Sequence, residues 1–231
     1  MKDQYVGDIN DFAKYAILRS LRAQHQHLAV CWMRTLDDSG RDGRHLAYLN
    51  SPNVHRPLDP QLFDRLGALV RNNRRHLRAV ERSRLLEPAV FFSEALRDPS
   101  PSRVGYFNDF WKIVPRRSLV FFDPDNGLDV PSVAYGTRNS SKYLYIHEVK
   151  ETVQRQHSIV IYQHFPRVQR APLLARLFDR LSYVGVSRPF ALYTSRVAFL
   201  VCPSSPDDLF AAAKRLVERS NGLLNYASIA E

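Results

Sequence analysis

The chain has 231 residues, 33 Lys+Arg against 23 Asp+Glu for a net charge of +10, and 45% hydrophobic residues. That length suits one large domain or one domain with an insertion, and the apolar share excludes wholesale disorder. No stretch reaches the roughly 18 apolar residues of a membrane span, and the opening MKDQYVGDINDF lacks the apolar segment of a signal peptide. Two cysteines, Cys31 and Cys202, both in apolar runs, build neither a disulfide framework nor a zinc site, so a reduced cytoplasmic protein is expected.

Residues 9–23 read as a helix: Phe12, Ala16, Ile17 and Leu21 recur at helical spacing behind Asp8 or Asn10 as N-cap. Leu28 to Met33 is a short apolar run with β-like Val, Cys and Trp, and Thr35 to Arg44 a polar, Gly-bearing loop. Asp59 to Arg84 reads as one long helix, with Leu62, Leu66, Leu69, Leu77 and Val80 on its apolar stripe and Arg71, Arg74, Arg75, Arg78 and Arg82 mostly off it. Phe91 to Leu96 is expected to be helical, and Asp98 to Arg103 a linker or turn. Ser118 to Phe122, Ser158 to Tyr162 and Val197 to Cys202 are continuous apolar strands; helices are expected over 173–181 and 206–219.

Continuous apolar strands followed by polar turns and helices indicate a mostly parallel sheet covered on both faces. The expected fold is a single doubly wound α/β domain over 1–231, Rossmann-like, with 50–100 as a mainly helical, Arg-rich insertion at the sheet edge. In such sheets ligands bind beyond the carboxyl ends of the strands. That rule selects Arg34, Thr35, Asp37 and Asp38 after the first strand, Asp123, Asp125, Asn126 and Gly127 after the strand ending at 122, and Gln163, His164 and Arg167 after the next. Asp123 abuts a buried strand, and Pro124 fixes the backbone beside it, so a carboxylate and a carbonyl are aimed outward to accept from an exocyclic amine. His164 is a candidate acid/base. The same acids, with Asp8 or Asp11, offer hard oxygen ligands to a divalent metal. There is no Gly-x-Gly-x-x-Gly fingerprint, P-loop or Gly-x-Ser-x-Gly turn.

The order of these features resembles the large-subunit ribosomal RNA adenine methyltransferases that act on the exocyclic amine, and the methyltransferase-like partners of three-Cys-motif proteins. Asn10-Asp11-Phe12-Ala13-Lys14-Tyr15 is similar to their opening helix, with Lys14 matching the family lysine and Tyr15 in place of its histidine. Asn108-Asp109-Phe110 lies where the family has Asp-Gly-Phe at the adenine of S-adenosylmethionine. The segment 116–126, from Arg116-Arg117 to Asp123-Pro124-Asp125-Asn126, looks like the catalytic Asp-Pro-Pro-Tyr strand, and 195–201 resembles the late strand that closes the sheet. Asp125-Asn126 stands where the family has Pro-Tyr, and residues 34–40 stand where it has a compact glycine loop.

The resemblance implies a Rossmann-type methyltransferase fold and transfer of a methyl group from S-adenosylmethionine to an amine, plausibly of a nucleobase. It implies a catalytic set of Asp123, Pro124, Asp125, Asn126 and His164, and a cofactor site lined by Lys14, Asp37, Asp38, Asn108 and Asp109. The alternatives are a metal-dependent nuclease or phosphoesterase built on Asp8, Asp11, Asp123, Asp125 and His164 around a divalent cation, or a non-catalytic binding module. The basic charge, concentrated over 65–84, makes nucleic acid an expected partner.

Overall fold

The computed structural model describes residues 2–35, 43, 45–204 and 206–229. Helix α1 spans Ile9–Arg22 and is followed by strand β1 (Leu28–Cys31). The short α2 (Pro52–His55), α3 (Pro60–Arg71) and α4 (Leu77–Arg82) lead to β2 (Ala89–Phe92). Then come α5 (Ser100–Ile113), β3 (Leu119–Phe122), the two-residue β4 (Gly127–Leu128) and β5 (Tyr143–Leu144), and α6 (Ile146–Gln154). The chain continues through β6 (Ser158–His164), α7 (Arg170–Tyr183), β7 (Phe190–Tyr193), β8 (Val197–Cys202), α8 (Pro206–Arg219) and β9 (Asn225–Ser228).

Seven strands form one sheet in the order β2-β1-β3-β6-β8-β7-β9, while β4 and β5 pair separately. β2, β1, β3 and β6 are parallel neighbours, with Leu28 opposite both Ala89 and Leu119, and Leu119 opposite Ser158. β7 runs in their direction too, because β8 is antiparallel to both β6 and β7; β9 is antiparallel to β7. The sheet is therefore mostly parallel, and the architecture is α/β and compatible with a Rossmann-like fold.

Each central strand reads as an unbroken apolar run because both faces are covered. Leu119 and Phe121 face a core shared with Phe12 and Ile17 of α1, Leu62 and Leu66 of α3, and Leu209 of α8. Val120 and Phe122 face the opposite core, with Phe107 and Phe110 of α5, Val149 of α6 and Phe178 of α7. The period-2 alternation of strand side chains splits one run between two cores.

Several sequence expectations change. The helix expected over 59–84 is two helices, because Asn73 takes φ 54° and turns the chain between them. Each half has its own cap: Asp59 accepts from Leu62 N at 3.0 Å, and His76 Nδ1 accepts from Ala79 N at 3.1 Å. Phe91 to Leu96 is not helical; its first residues belong to β2, whose pairing with β1 overrides local propensity. The segment 50–100 thus supplies an edge strand of the sheet as well as helices. Of the turn expected over 98–103, residues 98–99 form a bend and α5 begins at Ser100. The apolar run from 197 to 202 is the antiparallel member of a hairpin with β7, closed by Thr194, whose N donates to Val197 O at 2.9 Å. Among the described residues no helix is long and apolar enough to cross a membrane.

Candidate functional site

β1, β3 and β6 are neighbours running the same way, so the polar residues that follow them share one edge. There Thr35 Oγ1 donates to Asp125 Oδ2 at 2.8 Å, joining the exits of β1 and β3. His164 N donates to Asn126 O at 3.1 Å, joining β6 to the same turn. Gln163 uses both ends of its carboxamide: Nε2 donates to Asn126 O at 3.1 Å and Oε1 accepts from Leu128 N at 3.0 Å. Gly127 makes this possible. Its φ of +115° suits glycine, and a β-carbon there would overlap the Gln163 carboxamide.

Asp123 is anchored through its backbone, its N donating to Cys31 O at 3.1 Å. Its side chain meets α1. Lys14 Nζ donates to Asp123 Oδ2 at 2.8 Å and to Asp11 Oδ1 at 2.8 Å. Lys14, Asp11 and Asp123 are each only 2% exposed. Asp11 Oδ2 also accepts from Tyr15 OH at 3.2 Å and from Gly7 N at 3.1 Å, and Asp8 Oδ1 caps α1 by accepting from Asn10 N and Asp11 N, both at 2.9 Å. The aromatic rings of Tyr162, Tyr15 and Phe121 surround the ammonium at 5.5, 5.7 and 5.9 Å.

Burial opposes charge on every member of this cluster. For Lys14 the two carboxylates outweigh it and hold the ammonium above its ordinary pKa. For Asp8, Asp11 and Asp123 burial prevails over the pull of Lys14 and their other partners, and their pKa values are raised. The lysine lies between two carboxylates and stays protonated, whereas desolvation makes each acid harder to ionise.

Asp123, Asp125, Asn126 and Lys14 are thus brought together, with Pro124 buried between the first two. Asp125 is engaged by Thr35 and lies 4.0 Å from Lys2 Nζ. His164 ends β6 with an exposed side chain. Asn108 and Asp109 are not brought to this cluster; they lie on the exposed side of α5, where Asp109 pairs with Lys112 at 2.7 Å. Asp37 and Asp38 lie outside the described residues. Among the described residues no group of three or more His, Cys, Asp or Glu side chains is arranged as a metal ligand set; between Asp11 and Asp123 stands the ammonium of Lys14.

Of the arginines at 65–84, Arg71, Arg74, Arg78 and Arg82 are exposed. Arg75 turns inward instead: Nε donates to Val6 O at 2.8 Å and Nη2 to Gln4 O at 2.6 Å and to Gly43 O, clasping the segment that precedes α1.

Sequence reasoning missed a cavity of about 640 Å³ at the exits of β1 and β2, lined by Asp3, Arg34, His76, Arg78, Glu81 and Ser93 among others. Glu81 is held in place there: Trp32 Nε1 donates to its Oε1 at 2.9 Å, and Ser93 Oγ donates to the same oxygen. The strand-end rule had already selected Arg34 after the β1 run, and it would have found Ser93 too had β2 been recognised. Glu81 left no such signal, because it lies on a helix.

No known protein-family model matches the chain, and no curated protein sequence is significantly similar to it.

Proposed function

We propose that this protein is a methyltransferase that moves a methyl group from S-adenosylmethionine to an amine of a nucleobase. The observation that carries the reading is the 2.8 Å contact between Lys14 and Asp123. The two segments on which the family resemblance rests, 109 positions apart, meet in one buried cluster at the carboxyl end of β3. The sheet adds support of a coarser kind, since a mostly parallel Rossmann-like sheet gathers ligands at that edge.

Room for a small-molecule donor is offered by a cavity at the sheet's carboxyl edge. The cavity at the exits of β1 and β2, at about 640 Å³, falls within the roughly 300–1,000 Å³ of small-molecule sites. Its lining offers charged groups of both signs. When bound, S-adenosylmethionine supplies an electrophilic methyl group. Asp123, with the Pro124 carbonyl beside it, accepts hydrogen bonds from the amine and orients its lone pair. Lys14 and Asp11 act as positioning residues that hold the Asp123 carboxylate. Asp123 and the Pro124 carbonyl would hold the amine that receives the methyl group, with Lys14 keeping the carboxylate in place. Because the reaction consumes a cationic donor and needs no strong base, positioning carries much of the acceleration. The exposed Arg71, Arg74, Arg78 and Arg82 offer a phosphate-binding surface to a polyanionic substrate.

Calorimetry of the full chain with S-adenosylmethionine tests the reading, followed by transfer of labelled methyl to RNA and DNA oligonucleotides. Micromolar donor binding, with methyl transfer lost in Asp123→Asn, is expected. No heat with either the donor or S-adenosylhomocysteine would overturn the proposal.

A further inference from the structure

Residues 129–142 join β4 to β5 beside the turn that follows Asp123, where Asn126 N donates to Lys142 O at 3.0 Å. A connection this long with almost no secondary structure of its own is either functional or disordered in most domains, and this one is pinned. Asp98 accepts from Asn139 N at 3.0 Å and from Ser141 N at 2.8 Å. Arg103, fully buried, donates to Ser140 O at 3.1 Å and to Tyr143 O at 2.6 Å. Tyr145 OH donates to Val133 O at 2.9 Å.

That frame fixes an aromatic group at the surface. The ring of Tyr135 meets Tyr145 edge-on at 5.1 Å and His147 at 4.8 Å. The Arg103 guanidinium lies 5.6 Å from the Tyr135 ring centroid and 5.0 Å from that of Tyr145. Tyr135 is half-buried and His147 exposed, so both rings reach solvent. Lys150 follows His147 at the i,i+3 spacing on α6, which puts the two on one face. Arg138 and Lys150 are exposed and Lys142 is half-buried. The acids nearby in the chain are committed: Asp129 to Arg180 at 2.7 Å, Glu148 to Arg103 at 2.6 Å and Glu151 to Arg155 at 2.7 Å. Arg138, Lys142 and Lys150 form no ion pair with a described residue. Rings held in place by a buried arginine, with solvated cations around them, match what a single-stranded nucleic acid presents: open base faces and phosphates. A duplex keeps its base faces in its own stack. A lipid surface calls for exposed apolar side chains, and among the described residues none of the large exposed ones lies in 129–150.

We infer that Tyr135 and His147, flanked by Arg138, Lys142 and Lys150, form a stacking platform for single-stranded nucleic acid, with bases on the rings and phosphates on the cations. Arg103 is its positioning residue, holding the segment and the rings from the buried side. The platform stands on its own chemistry and needs no methyl donor. That the strand it holds also carries the base presented to Asp123 rests on the methyl-transfer reading.

Fluorescence anisotropy of the full chain tests this with a short labelled single strand of mixed sequence, the same strand made abasic, and its duplex. The single strand should bind tightest. Tyr135→Ala should weaken it roughly 5- to 150-fold, the range for one base stacked on an aromatic ring. Tyr135→Phe keeps the ring and should stay close to wild type. His147→Ala, at an exposed position, serves as a second variant, and thermal melts verify that each is folded. Arg138→Met should lower the slope of log affinity against log salt by about 0.7, the value for one phosphate of a single strand. The abasic strand should bind more weakly and be indifferent to Tyr135→Ala. Equal affinity of all folded variants for the single strand, or an abasic strand bound as tightly as the intact one, overturns the platform. So does polyglutamate bound as tightly as the strand, which would mark an acidic protein surface as the partner. Ring-dependent strand binding with no heat from S-adenosylmethionine supports the platform and overturns the methyl-transfer reading. Donor binding with strand affinity insensitive to both rings overturns the platform and leaves that reading standing.

Discussion

Replacing Lys14 with methionine removes the ammonium that donates to both Asp11 and Asp123 while keeping most of the side-chain volume. Each contact is 2.8 Å long between groups only 2% exposed. At an effective dielectric near 20, each carries roughly 6 kcal/mol of attraction, most of it offset by the several kcal/mol needed to desolvate each ion. Without the lysine, the two acids either stay ionised without its charge or take up protons. Holding one carboxyl protonated at pH 7, against an ordinary aspartate value near 3.8, costs about 4 kcal/mol. The expected destabilisation at pH 7 is therefore about 3–5 kcal/mol, or roughly 6–20 °C in melting temperature. At pH 4 the unfolded chain is already half-protonated at these groups, so most of the penalty disappears. Urea denaturation of wild type and Lys14→Met at both pH values measures it. Lys14→Met/Asp123→Asn should recover part of the loss, since one buried acid has been removed. A loss below about 1 kcal/mol at pH 7, or an equal loss at both pH values, would refute the account of a lysine neutralising buried acids.

Asp8→Asn keeps a good N-cap and deletes one negative charge. The pKa of Asp8 is raised, so its ionisation costs stability as pH climbs past the ordinary aspartate value. The variant should be more stable than wild type at pH 7 by about 0.5–1 kcal/mol, the gain fading below about pH 3.8; denaturation midpoints across that range measure it, and a variant less stable at pH 7 contradicts the sign. Arg103 is fully buried, giving Glu148 two hydrogen bonds at 2.6 and 2.9 Å and donating to the carbonyls of Ser140 and Tyr143 at 3.1 and 2.6 Å. Arg103→Met should cost about 3–5 kcal/mol and speed amide exchange most over 139–145, because Glu148 is left buried without its counter-charge; uniform exchange across the domain would argue against a local role.

The strands at 119–122, 158–164 and 197–202 were legible because burial on both faces demands unbroken apolar runs, and α1 and α8 because their apolar positions repeat at helical spacing. The broken helix at Asn73 was not legible, since a single residue at positive φ has no periodic signature. Nor was the direction of β8, because a continuous apolar run reads the same in either direction. Asp123 stood out by ending a strand, and Lys14 by its place in the opening helix. That one would hold the other depended on α1 packing against β3, a relation between segments far apart in the chain. The same holds for the cavity. Arg34 is visible after the β1 run, but Glu81 becomes a fixed acceptor only when β2 pairs beside β1 and brings Ser93 and Trp32 to one carboxylate oxygen. Local sequence determines periodicity and strand ends, because these follow from burial and backbone geometry within a few residues. Charge pairing across the sheet edge is decided by tertiary structure, because electrostatic partners are chosen by distance in space and by the water excluded between them.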